Sequence, residues 1–192
     1  MRSFNENDKN FIGNREDLYD KIMSYGVMVI GIPISLDFEL IKELACICDG
    51  IILPGGDNFV DNDFKLVEYL YDNDIPTLGI CLGMQSMSEY FNGRVDVNVE
   101  GHHSTNEYVH PISICRDSLL YKILGKDEIM VNSRHHSAIP YTNLKVSARS
   151  EDGVIEAIES DEKDFFLGLE WHPESLCDDN TNKIFGYFLS LL

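Results

Sequence analysis

Two glycines bracket a cysteine in Gly79-Ile80-Cys81-Leu82-Gly83, and this pentapeptide constrains the chain more than any other stretch. The residues before it, Pro76-Thr77-Leu78-Gly79-Ile80, read as a short buried strand. Those after it place Leu82, Met84, Met87, Tyr90 and Phe91 at helical spacing. A sharp strand-to-helix turn crowds the backbone around the central residue, and a Cβ at either flank would collide. The turn presents the sulfur at a helix N-terminus, where the dipole and the free N–H groups favour the thiolate. Taken alone, the pentapeptide fits a free core cysteine between two ordinary glycines equally well. The rest of the chain has to decide.

The chain of 192 residues suits one domain, residues 1–192, with a sizeable core. Its formal net charge of −18 argues against nucleic acid and anionic membrane surfaces as partners. Five cysteines, an odd number without framework spacing, read as reduced thiols in a cytoplasm. The opening Met1-Arg2-Ser3-Phe4-Asn5-Glu6 is polar and has no apolar signal region. No stretch approaches the roughly 20 apolar residues of a membrane span.

Strand and helix signals alternate through the first half. A short strand is expected around residues 9–12, a helix over 15–25 ended by Gly26, and a buried strand over the apolar run 27–33. A helix over 38–46 and a strand over 50–53 follow, the strand ending in Pro54-Gly55-Gly56-Asp57; next come a helix over 64–71 and the cysteine strand with its helix. This order predicts an α/β fold, a doubly wound, mostly parallel sheet flanked by helices. After Asn92-Gly93 the texture changes to strands over 94–99, 109–115, 128–132, 144–149 and 154–160, read as antiparallel additions. A last strand over 165–171 runs into His172-Pro173-Glu174, and residues 182–192 close the chain as a helix.

A thiolate nucleophile needs a base, and the base needs an orienter. His172 and Glu174 suit both roles, because residues i and i+2 of an extended segment point the same way and Pro173 restricts the backbone between them. Cys81 and His172 both follow buried strands, at the carboxyl edge where doubly wound sheets put their sites. Pro54-Gly55-Gly56 follows a third strand. Its glycines free the Gly56 N–H to join the Leu82 N–H as an oxyanion hole, although Pro-Gly-Gly by itself is also an ordinary tight turn.

In this order Pro54-Gly55-Gly56, Gly79-Ile80-Cys81-Leu82-Gly83-Met84-Gln85 and Trp171-His172-Pro173-Glu174 resemble the class I glutamine amidotransferase family, whose fold is flavodoxin-like. Val131-Asn132-Ser133-x-His135-His136-x-Ala138-Ile139 and Asp152-Gly153-Val154-Ile155-Glu156-Ala157-Ile158-Glu159 resemble its γ-glutamyl hydrolase branch, the peptidase C26 group. The resemblance covers residues 15–174. It implies a Cys-His-Glu triad that needs no cofactor, with Cys81 as nucleophile, His172 as base and Glu174 as orienter. The implied substrate is a γ-glutamyl amide, cleaved through a glutamyl thioester. Gln85 matches the position that meets the glutamyl end, and Gly55, Ser133, His135 and His136 are further implied substrate contacts. The chain departs from the family after Gly56, where Asp57-Asn58-Phe59-Val60-Asp61-Asn62 is short and lacks the proline and tyrosine of the usual loop. The N-terminal strand region is also abbreviated. These parts shape the entrance for the leaving amine, and the compact build is similar to hydrolases of γ-glutamyl-CDP-amidate in bacterial capsule phosphoramidate synthesis.

His102-His103 and His135-His136 suggest metal at first sight, but neighbours on a strand face opposite sides and neither pair chelates easily, so no metal is expected. Three functions then compete. One is a stand-alone γ-glutamyl hydrolase, favoured by the His135-His136 segment. Another is a glutaminase subunit passing ammonia to a synthase. The last is a non-catalytic binding domain, against which the intact Cys-His-Glu set weighs. The leaving amine and the oligomeric state stay open.

Overall fold

The structure is a computed structural model that describes residues 1–6, 9–97 and 99–192. A hairpin of β1 (Arg2–Glu6) and β2 (Lys9–Gly13) precedes α1 (Glu16–Met23) and α2 (Phe38–Cys46). Then come β3 (Ile51–Leu53), α3 (Asp61–Asp72), β4 (Thr77–Ile80), α4 (Leu82–Tyr90) and β5 (Arg94–Val97). The second half holds β6 (His110–Ile114), α5 (Leu119–Leu124), β7 (Glu128–Val131), β8 (Ser137–Tyr141), β9 (Lys145–Ser150), β10 (Ile155–Glu159), β11 (Phe166–Leu169) and α6 (Asp179–Leu189).

Seven strands form the central sheet in the order β3-β4-β11-β10-β9-β6-β7. β3 and β11 flank β4 in parallel, with Leu53 opposite Gly79 and Leu169 opposite Ile80, so all three strands end at one edge. The remaining strands add antiparallel beyond β11, while β5 pairs with β8 in a separate ladder. The result is the expected α/β architecture, a curled sheet flanked by helices. Alternation along β4 and β11 sends side chains to both faces. Leu78, Ile80, Leu167 and Leu169 join Leu18, Ile22, Phe185 and Phe188 of α1 and α6 on one face. Phe166 joins Ile41, Val67, Leu70, Met84 and Met87 of α2, α3 and α4 on the other.

Helix α4 sits unusually close to the sheet, and glycine makes the approach possible. A Cβ on Gly79 would lie 2.4 Å from Met87 Sδ and 2.9 Å from the Gly83 backbone. A Cβ on Gly83 would lie 2.1 Å from the Leu53 carbonyl oxygen, which is inside any tolerable contact. The collision expected at both flanks of Cys81 is therefore real, and its partners are β3 and α4 itself.

Residues 27–33 make no strand ladder, contrary to the expectation. The run is extended, but its end is bracketed by the N-terminus: the Met1 amine donates to the Ile32 carbonyl, and Ile34 N–H donates to the Met1 carbonyl at 3.0 Å. A cavity of about 550 Å³, lined by this run, β3, α1 and Phe188, lies between the run and the sheet. Met28 is left 88% exposed, so the apolar pattern marked an extended segment without saying what it pairs with. Three elements were not anticipated, among them β1, which pairs with the strand expected around residues 9–12. Helix α5 carries its own signals, since Ser118 accepts from the Tyr121 N–H and Gly125 ends the helix at φ 67°. Strand β8 lies in the stretch around Pro140, which a strand tolerates only at an edge. Among the described residues, no helix is long and apolar enough to cross a membrane. The cysteines are all free. Cys46 is exposed at the end of α2.

Two glycine substitutions should move stability in opposite directions. Gly83→Ala should cost about 1–3 kcal/mol through overpacking against the Leu53 carbonyl. Gly186→Ala in α6, where the nearest foreign atom is 4.0 Å from the added carbon, should gain about 0.5–1 kcal/mol from helix propensity. Urea midpoints at constant slope read both changes.

Candidate active site

Cys81 occupies the turn between β4 and α4 at φ 50° and ψ −110°, in positive-φ space that a non-glycine residue rarely enters. The conformation is held from both sides. Cys81 N–H donates to the Leu169 carbonyl at 2.8 Å, and its own carbonyl accepts from Gln85 N–H at 3.0 Å. Strain maintained in this way at a sharp turn is a mark of a functional position.

His172 follows β11 on the adjacent strand end. Asn132, fully buried after β7, donates to the His172 carbonyl at 2.7 Å and accepts from the His172 N–H at 2.8 Å. This two-point clamp fixes the backbone of the histidine. Its Nδ1 lies 2.7 Å from Glu174 Oε1, which assigns the proton to Nδ1 and leaves Nε2 as the free base. The expected pairing of His172 and Glu174 is present, but the backbone differs from the expectation. Pro173, Glu174 and Ser175 form a 3-10 turn, closed by Ser175 N–H on the His172 carbonyl at 3.2 Å. The turn, rather than an extended run, brings the two side chains together.

Gly55 marks where the two catalytic candidates face each other. A Cβ there would come 2.8 Å from His172 Cε1, 3.6 Å from His172 Nε2 and 3.6 Å from Cys81 Cβ. Any larger residue would fill the gap between thiol and imidazole. Gly56 lies against Leu82, whose Cδ2 would be 3.0 Å from an added Cβ. Among the described residues, neither the Gly56 nor the Leu82 N–H donates to a backbone carbonyl. Two free donors beside the sulfur match the needs of an oxyanion.

Gln85 is buried one helical turn beyond Cys81 and donates to Glu170. Ser133 and His135 lie deeper: the Ser133 hydroxyl donates to the His102 carbonyl at 2.7 Å, and His135 Nδ1 donates to the Ser137 carbonyl at 2.7 Å. His136 is on the outside, stacked on His103 with ring centroids 4.0 Å apart. The structure thus gathers Gly55, Gln85, Ser133 and His135 toward the interior side of the site and leaves His136 at the surface. Adjacent histidines do face opposite ways, as strand geometry requires: His102 and His135 are buried, while His103 and His136 are exposed. Sequence reasoning missed Asn132 as the clamp, and it missed Glu156 and Glu170 as carboxylates inside buried strands. Ile155-Glu156-Ala157 and Leu169-Glu170-Trp171 carried the signal, a lone acid in an apolar run.

Burial works against the thiolate expected from the helix N-terminus. Burial pushes the Cys81 thiol far above its ordinary range, and the nearby Glu170 carboxylate position pushes it further; the Leu82 N–H acts the other way. Glu170 is itself raised well above the usual carboxylate range by complete burial, opposed by the Gln85 hydrogen bond. A neutral thiol beside a free imidazole Nε2 can still react, provided the proton moves as the new bond forms.

Comparison with known proteins shows the family and the fold of the chain. The family model described as Peptidase C26 matches residues 60–174. A glutamine amidotransferase-like protein of Rickettsia prowazekii is 29% identical over 88% of this chain and 84% of its own length. A GMP synthase (glutamine-hydrolysing) of Bacillus pumilus is 32% identical over 88% of this chain, which spans only 32% of that longer protein. The glutaminase domain of Trypanosoma brucei CTP synthase, solved with bound acivicin, shares the fold with a TM-score of 0.73 at 18% identity, covering 91% of this chain and 84% of that one.

Thiol labelling should separate Cys81 from the rest. In the free protein Cys46, Cys115 and Cys177 are exposed and should react with iodoacetamide first. Because the Cys81 pKa is raised, its labelling rate should keep rising through pH 9 without a plateau. Mass-spectrometric peptide mapping across pH would check this. A plateau below pH 8 would mean a resting thiolate.

Proposed function

The chain belongs to the peptidase C26 family, within the glutamine amidotransferase-like proteins, and from that premise we propose that it is a cysteine-dependent hydrolase of γ-glutamyl amides. The observation that carries the reading is the meeting of Cys81, His172 and Glu174 at the carboxyl ends of adjacent parallel strands. In this mechanism His172 Nε2 takes the thiol proton as Cys81 Sγ bonds to the γ-carbonyl carbon. The Gly56 and Leu82 N–H groups receive the oxyanion. The imidazolium then gives its proton to the nitrogen as the C–N bond breaks, and the amine leaves behind a glutamyl thioester. Water, deprotonated by the same Nε2, attacks the thioester; glutamate departs and the thiol recovers its proton. Gly55 and Gln85, on the two sides of the thiol, are assigned to the glutamyl end. Ser133 and His135 form the supporting wall and His136 the rim.

The leaving amine meets the short segment 57–62, which borders an open groove with Arg2. Arg2 lies beside Gly56, buried and paired with Asp63, while Asn58 and Asn62 line the groove with Asp57 and Asp61. A polar lip suits a polar amine, and a nucleotide phosphoramidate, as in γ-glutamyl-CDP-amidate of capsule biosynthesis, is our specific assignment. The names of the relatives favour a second reading: a glutaminase domain or subunit that releases ammonia from glutamine for a partner synthase. Both readings use the same triad and differ in the amine.

Cys81→Ala should lower turnover by more than about 10⁴-fold, and Glu174→Gln by about 10²–10⁴-fold with the fold retained. Glutamate release, with circular dichroism as the folding control, measures both; near-normal turnover in Cys81→Ala would remove the nucleophile assignment. The substrate class is tested by comparing γ-glutamyl-CDP-amidate, γ-glutamyl amides of small amines, their α-blocked analogues, and glutamine. A site that pairs the free α-amino and α-carboxylate should reject the α-blocked compounds most strongly, because its polar groups would be left bare. Equal turnover of blocked and free compounds would overturn the glutamyl pocket. Glutamine as the best substrate, with activity rising on addition of a synthase, would replace the hydrolase reading by the glutaminase one.

A further inference from the structure

Behind Cys81 lies a buried group of side chains, of which the proposed reaction uses only His135, as part of the supporting wall. His102 precedes β6, His110 begins it, His135 lies between β7 and β8, and Glu156 projects from β10. The register of β10 against β9 shifts between Ile155 and Ala157, so Glu156 sits at a bulge, the device by which strands re-aim a side chain. Glu156 is wholly buried, and neither of its carboxylate oxygens has a hydrogen-bond partner. Glu159, three residues on, is buried too but accepts from the Ser147 hydroxyl at 2.6 Å and the Leu119 N–H at 2.9 Å. The fold therefore satisfies one buried acid of β10 and leaves the other bare.

Three imidazole nitrogens converge on that bare carboxylate. His102 Nδ1 is 3.3 Å from Glu156 Oε1, His110 Nε2 is 3.5 Å away and His135 Nε2 is 3.9 Å away. Each ring is anchored through its other nitrogen: His102 Nε2 on Asp152 Oδ2 at 2.9 Å, His110 Nδ1 on the Pro111 carbonyl at 3.3 Å, and His135 Nδ1 on the Ser137 carbonyl at 2.7 Å. His110 Nε2 and His135 Nε2 have no hydrogen-bond partner, and His102 Nδ1 faces the Ser133 hydroxyl oxygen at 3.4 Å as well as Glu156. A wholly buried carboxylate and the ring nitrogens turned toward it are a donor set that a bound cation would satisfy.

We propose that His102, His110 and Glu156 form a site for a divalent transition-metal cation of the zinc class. Their ligand atoms lie within 4.8 Å of one another. In a tetrahedral site with bonds near 2.0–2.1 Å, ligand atoms stand about 3.3 Å apart, and the His102 and His110 nitrogens, 3.3 and 3.5 Å from Glu156 Oε1, are close to that edge. Two imidazoles and one carboxylate suit zinc, and a second shell of carboxylate and carbonyl acceptors is what metal-bound histidines have. His135, 3.9 Å from Glu156 Oε1, stands beside the three ligands rather than among them. The ion's role is to pin the segment bearing His102 and β6 to β10. Asn132 follows β7, which pairs with β6, and it clamps His172, so the ion supports the base from behind without touching substrate.

The test uses the full chain, stripped with a chelator and titrated with Zn²⁺ by equilibrium dialysis and elemental analysis. We expect one ion per chain and a rise in melting temperature of about 5–10 °C at saturation. Co²⁺ should give the visible ligand-field band of a four-coordinate nitrogen–oxygen site, without a thiolate charge-transfer band. His110→Asn and Glu156→Gln should abolish stoichiometric uptake. Asp152→Asn, whose side chain is half-exposed and therefore safe for folding, should weaken binding by about 10–100-fold. No stoichiometric uptake by a folded chain, uptake unchanged in Asp152→Asn and His110→Asn, or a cobalt–thiolate band would each overturn the proposal. None of these readouts depends on catalytic activity, so this site and the glutamyl reading stand or fall separately.

Discussion

The structure depends on the parallel register of β3, β4 and β11. These strands end together, and the residues that follow them are Pro54-Gly55-Gly56, Cys81, and the turn carrying His172 and Glu174. No single segment could bring a thiol, an imidazole and two glycine-rich turns to one gap. Three neighbouring strand ends can, because the hydrogen-bond ladder holds them about 4.8 Å apart. The ladder also limits what can sit on it. Helix α4 must start directly at Cys81 and lie tight on the sheet, which is why Gly79 and Gly83 have no room for a side chain and why Cys81 accepts a positive φ.

The same close packing sets the chemistry. Water is excluded around the thiol, and a charge there is costly, so burial holds the proton on Cys81. Glu170, fully buried on the far side of Gln85, is raised well above the usual carboxylate range by the same effect. In the proposed mechanism activation belongs to His172, whose ring pairs with Glu174 and whose backbone is held by Asn132. A helix N-terminus alone does not make a thiolate where desolvation is the larger effect.

Local signals were read well wherever the physics is local. The spacing of Phe38, Ile41 and Ala45 marked α2 to the residue, and the two glycines announced the turn at Cys81. The pairing of His172 with Glu174 was legible because only one residue separates them, although Pro173 opens a 3-10 turn rather than an extended run. Residues 27–33 were misread because a string of Val and Ile reports hydrophobicity and extension, while pairing depends on where a distant edge lies. Asn132 and Glu156 were passed over for the converse reason. Glu156 stands out only as a lone acid between apolar neighbours, and the meaning of both residues comes from the atoms they face across the fold.

By itself the sequence determined the alternation of strand and helix, the close turn at Cys81, and the pairing of His172 with Glu174. These follow from steric and periodic rules that act within a few residues. Only the tertiary structure decided which strands are neighbours, which face of each histidine pair turns inward, and that burial works against a charge on Cys81. It also brought His102, His110, His135 and Glu156, drawn from four separate places in the chain, around one buried point. Desolvation and convergence are properties of a packed interior, and no window of sequence contains them.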